Sequence, residues 1–221
     1  MTWEKLLPLL LTGLTETLYM TLWSSFVAYL LGLPLGVLLI VTRKDGIMPH
    51  PTFNTVLGVV INFLRSIPFI IMLAMLFPVT RAIMGTAIGT TAVIFPLVVS
   101  AFPYIARMVE SSLEEVDHGI IEAAQSMGST NWQIIIKVLL PEAVPSLVNG
   151  AAISITTILA YTAMASAAGG GGLGAIAITK GMNVRKFDIM YSASLLLVAL
   201  VQIITVFGTR LTRGLDHKRR I

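Results

Sequence analysis

Apolar windows about as long as a lipid crossing recur along this chain, and they constrain the fold before anything else does. Uncharged stretches lie at about 17 to 41, 86 to 106, 147 to 168 and 189 to 209, and a fifth, about 55 to 78, is interrupted by Arg65 alone. Each approaches the roughly 20 residues that carry a helix across about 30 Å of hydrocarbon. With no water there to satisfy the backbone, each window must bond internally, and windows of this length do so as helices. The expected fold is therefore all-α: a polytopic membrane helical bundle of five transmembrane helices in one domain, 1 to 221. Composition agrees, with 56% hydrophobic and 12% charged residues and a mean hydropathy of +0.87.

Five spans put the termini on opposite faces. Short loops rich in Lys and Arg stay in the cytoplasm. A cytoplasmic C-terminus gathers Arg43, Lys44, Arg107, Lys137, Arg210, Arg213, Lys218, Arg219 and Arg220 inside, against Lys5, Arg81, Lys180, Arg185 and Lys186 outside. The expected orientation is N-terminus outside, C-terminus inside. The basic tail from Arg210 to Arg220 then reads as an anchor on anionic lipid rather than a nucleic-acid surface. The first fourteen residues carry Glu4, Lys5 and Pro8 and lack a small-x-small cleavage site. They read as an uncleaved segment along the outer interface, with Trp3 at headgroup depth.

The chain has no cysteine, which removes disulfide, thiolate and Cys-ligated metal chemistry. His50, His118 and His217 are scattered, and Asp45, Asp117, Asp188 and Asp216 fall at or beyond span ends. No catalytic, metal or cofactor site is expected. Gly169, Gly171 and Gly174 match G-x-G-x-x-G in letters, but they follow an apolar helix, whereas a dinucleotide site must follow a strand and open the helix of a βαβ unit. No phosphate loop occurs, so the chain is not its own ATPase.

Inside the apolar windows a few residues stand out. Gly32 and Gly36 have the small-xxx-small spacing that lets helices approach closely, with Pro34 between them. Arg65 and Ser66 precede Pro68 in the fifth window. A charge at midspan costs about 2.5 to 3.5 kcal/mol on the translocon scale, so Arg65 either lines a central path or subunit contact, or pairs with a carboxylate such as Glu110. Met164 is the one bulky side chain in Thr162-Ala163-Met164-Ala165-Ser166-Ala167-Ala168. Its flexible side chain suits a gate, and equally plain packing.

The longest polar interruption, about 111 to 145, carries readable punctuation. Thr130-Asn131-Trp132-Gln133 has the T-x-x-Q form of a capping box, opening a helix through Ile134 to Leu140. Gly128 fits the left-handed residue that ends a preceding helix, about His118 to Met127. On that helix Ile120, Ala123, Ala124 and Met127 fall on one face at i, i+3, i+4 and i+7. Two alanines make the face nearly flat. It fits either a close groove on a partner or the underside of its own bundle.

Ile121-Glu122-Ala123-Ala124-Gln125-Ser126-Met127-Gly128, followed after nine residues by Val138-Leu139-Leu140-Pro141, resembles the cytoplasmic EAA signature of ABC importer permeases, with Val138 where Ile is usual. Gly32 to Leu39 with Val41-Thr42-Arg43, Asn62 to Ile71, Ile105 to Glu110, Lys137 to Ala143 and Gly171 to Gly174 extend the likeness to the permease subunits of methionine-type ABC importers. The resemblance implies a coupling helix that contacts the ATPase through Glu122, Ala123, Ala124, Met127 and Gly128. It further implies a homodimer, two cytoplasmic ATP-binding subunits, an external substrate-binding lipoprotein, a bacterial inner-membrane location and methionine as the solute. A permease for another polar amino acid is the runner-up. A self-contained carrier comes next, though an odd span count without repeated halves argues against it.

Overall fold

A computed structural model describes residues 3–215, and among these every regular element is helical. Helix α1 runs Trp3–Val41, α2 Pro51–Ser66, α3 Phe69–Met84, α4 Ile94–Glu114, and the short α5 His118–Ser126. Asn131–Ile134 forms α6, which passes through a π-helical stretch, Ile135–Leu139, into α7, Leu140–Glu142. Then come α8, Val144–Met164, a 3₁₀ turn at Ala165–Ala168, α9 at Gly172–Ala175 running on into π-helix Ile176–Met182, and α10, Phe187–Leu215. The interfacial reading of the Trp3 side chain, and the tail residues Lys218, Arg219 and Arg220, lie outside the described residues.

Among the described residues, four helices are long and apolar enough to cross a membrane: α1, α4, α8 and α10. A fifth crossing exists if α2 and α3 are counted as one broken span, bent by 102°. The window expected at 55 to 78 falls on this broken pair. Pro68 has no N–H and steers Ile67 out of the helical region, so α2 ends at Ser66 and Pro68 takes the extended ψ of 138° that starts α3.

Two other boundaries also move. The window beginning at 86 opens in turns, because Gly85 and Gly89 hold φ of 77° and 109°, and α4 starts only at Ile94. From Trp3 onward the N-terminal residues continue into the first span, since α1 is continuous for 39 residues, about 58 Å at 1.5 Å per residue. Leu6, Leu10, Gly13, Thr17, Met20 and Ser24 are all buried, and their spacing of four and three residues draws one seam down the helix.

The chain divides into two compact units, residues 1–28, 67–101 and 154–205 in the first and 29–66, 102–153 and 206–221 in the second. In the first unit Leu6 and Leu10 pack with Leu173, Ile176, Ala177, Ile189 and Ala193. Met20, Phe69, Leu73, Val93, Leu97 and Ala165 form a second cluster, where the Phe69 and Tyr161 rings stack at 4.6 Å. In the second unit Leu39, Ile61 and Ala106 form one buried cluster. There Gly32 and Gly36 bring α1 against α4 so closely that a Cβ on either would meet Ile105, Val109 or the backbone oxygens of Phe102 and Ala106. Phe63, Leu195 and Phe207 are among the large apolar side chains left exposed, a surface that must be covered by hydrocarbon or protein.

Candidate functional site

Local hydrogen bonds build α5 almost without help from the rest of the fold. Asp117 caps its start, Oδ1 accepting from the Gly119 N–H at 2.7 Å. At the other end the Gly128 N–H donates to Gln125 O at 2.9 Å and the Ser129 N–H to Ala124 O at 3.1 Å, the paired bonds of a Schellman motif. Gly128 has the required φ of 79°. The capping box follows at once: Gln133 N–H donates to Thr130 Oγ1 at 3.3 Å, and Thr130 N–H to Gln133 Oε1 at 2.9 Å. Beyond it the expected helix through Leu140 loosens into the π stretch, where Leu140 N–H reaches back to Ile135 O. That register precedes Pro141, whose ring cannot follow an α turn.

The flat face read from the sequence is divided in the folded chain. Ala124 is 3% exposed and Ile121 half-buried, so they seat α5 on its own chain. Ala124, expected among the contact residues, is thus largely covered by its own chain. Glu122, Ala123, Ile120 and Gly128 stay exposed, and Met127 is 79% exposed. Trp132, at 69%, extends this surface past the turn; a tryptophan inside a polar capping segment was the signal for it. Beside α5 lies a cavity of about 190 Å³ lined by Arg43, Asp45 and Glu114 and by His118, Ile121, Glu122 and Gln125.

Arg65 and Ser66 end α2, both exposed, with the Ser66 hydroxyl donating to Asn62 O at 2.7 Å. Arg65 makes no ion pair to a described residue. Glu110, the carboxylate considered for it, is taken by Arg43 at 2.8 Å and Arg107 at 2.6 Å, so that pairing is corrected. Arg43 also grips Glu114, and this hydrogen bond first, then the Glu110 carboxylate, raises the guanidinium pKa above its usual value despite partial burial. Met164 is the last residue of α8, 44% exposed, and belongs to the first unit, whereas Arg65 and α5 belong to the second.

The glycine run is a close-packing device. Gly172 N–H donates to Glu16 Oε2 at 2.6 Å and Leu173 N–H to Thr17 Oγ1 at 2.9 Å, so a carboxylate and a hydroxyl from α1 cap the start of α9. A Cβ at Gly171 would strike the Glu16 carboxylate, and one at Gly174 the Ala163 backbone. The Gly169, Gly170, Gly172 and Leu173 amides, which a nucleotide phosphate would draw on, are already used.

Residues 32–221 match the family of binding-protein-dependent transport system inner membrane components. The chain belongs to that family. This permease is 48% identical over 210 residues to the probable D-methionine transport system permease protein MetI of Vibrio cholerae, covering 95% of this chain and 93% of that one. It is 50% identical over 161 residues to the D-methionine transport system permease protein MetI of Escherichia coli, covering 73% and 74%. A solved structure of the MetNI methionine ABC transporter in inward-facing conformations superposes at a TM-score of 0.95 with 45% identity, over 98% of this permease and 100% of that chain. The permease is an inner-membrane, multi-pass transport subunit and no enzyme by itself.

Proposed function

We propose that this permease carries methionine inward, with energy from a separate ATP-hydrolysing subunit that docks on α5. The working assembly is two copies of this chain, two cytoplasmic ATPase subunits and an external substrate-binding lipoprotein, with the N-terminus outside and the C-terminus inside. The observation that carries the reading is α5 itself. A helix closed at both ends by its own caps, seated through Ala124 and presenting Ile120, Ala123 and Met127, is a rigid, shallow surface suited to a groove on a partner. The solute rests on relatives that share about half their residues with this chain.

The test is reconstitution. Co-expressed with its ATPase, the chain should purify as a complex and, given the binding protein, accumulate labelled methionine in proteoliposomes only when ATP is supplied. Uptake without an ATPase would favour a self-contained carrier. ATP-driven uptake of another polar amino acid in preference to methionine would overturn the solute assignment alone. Labelling of single cysteines placed near either end checks the orientation, and the same side for both termini would refute it.

A further inference from the structure

We propose that Glu110 is a positioning residue for energy coupling, acting through Arg43 and Arg107 to hold rigid the wall against which α5 works. The inference rests on the coupling reading of α5 given above. The Glu110 carboxylate is 7% exposed. One oxygen accepts from Arg43 Nη2 at 2.8 Å and the other from Arg107 Nη1 at 2.6 Å. Arg107 Nη2 reaches on to Gly58 O of α2 at 3.1 Å, and Arg43 also holds Glu114 with both arms of its fork. A single carboxylate thus joins α4 to α2 and to the loop that follows α1.

Charge is balanced, since two guanidiniums face two carboxylates, although the buried Arg107 Nε finds no hydrogen-bond partner among the described residues. An exposed pair of this kind would contribute little, but here the shared carboxylate is buried and each of its oxygens is engaged. Apolar side chains of similar volume often replace such clusters without loss of stability. What they cannot supply is direction, because planar forks fix orientation as well as distance. The loop after α1 is pinned further: Met48 N–H donates to Val41 O and His50 N–H to Thr42 O, while Asn54 Nδ2 donates to Leu39 O and Thr42 Oγ1.

This pinned wall and α5 line one cavity of about 190 Å³, Arg43, Asp45 and Glu114 contributing together with His118, Ile121, Glu122 and Gln125 of α5. A wall that yields passes no displacement to α1 and α4, and one that Glu110 holds does.

The experiment uses the complex with its ATPase in proteoliposomes and reads solute moved per ATP hydrolysed. Glu110→Gln keeps the side chain's size and removes its charge, and Arg43→Gln leaves the Glu110–Arg107 pair intact but frees the loop. Both should lower the ratio at least fivefold while the ATPase still co-purifies. Because the ratio counts only assembled complexes, a merely structural role would reduce the yield of complex and leave the ratio alone. Ratios within twofold of wild type in both variants overturn the proposal. The comparison holds for whichever solute the wild-type complex carries, so a wrong solute assignment is distinguishable from a wrong role for Glu110; a wild-type chain that binds no ATPase would overturn both.

Discussion

A single methyl group added at Gly36 probes the packing of α1 on α4. An ideal Cβ there would lie 2.6 Å from Ala106 O and 2.6 Å from Val109 Cβ, about 0.8 Å inside the 3.4 Å at which ordinary contact begins. Neither neighbour can swing away, because one is backbone and the other the branch point of a stiff side chain. The helices must separate instead, and between membrane helices close van der Waals contact is itself a main source of association. Overpacking of this kind costs about 1 to 3 kcal/mol, and for a chain of this size each kcal/mol moves the melting point by about 2 to 4 °C. Gly36→Ala should therefore melt about 2 to 12 °C below wild type, followed by helical circular dichroism in detergent. Gly214→Ala is the control, since a Cβ there meets nothing within 4 Å and alanine is the better helix former. A Gly36→Ala protein as stable as wild type would refute the close approach and the packing reading with it.

Three further outcomes follow from the site. Ala123→Arg, on the exposed face of α5, and Gly128→Val, which forces a β-branched residue into a φ of 79° at about 1 to 2 kcal/mol or more, should leave insertion intact and abolish ATPase binding in a pull-down; normal binding and uptake by both would count against the docking surface. Arg65→Leu removes an insertion cost, so it should insert at least as well as wild type yet transport poorly, and full uptake would return Arg65 to a passive role. Met164→Ala should give solute leakage without ATP from proteoliposomes whose complex is assembled; vesicles as tight as wild type, with normal coupling, would assign Met164 to plain packing.

What the sequence determined by itself was whatever depends on neighbours a few residues away. The presence of long apolar helices follows from the run of apolar residues, though not where each begins and ends, and the Thr130–Gln133 capping box and the left-handed Gly128 follow from short-range stereochemistry that any surroundings would leave in place. The break at Pro68 was legible too, though an apolar window alone smooths over it. Only the tertiary structure decided which distant groups meet. Glu16 caps Gly172 from 156 residues away, and Arg43 finds Glu110 across 67. Ala124 turns inward although its neighbour Ala123, equally small, stays out. Nothing in periodicity selects among such partners. In lipid the apolar faces gain little from merely being hidden, so helix pairing is settled by which surfaces let backbones come close and which polar groups then fall within bonding distance.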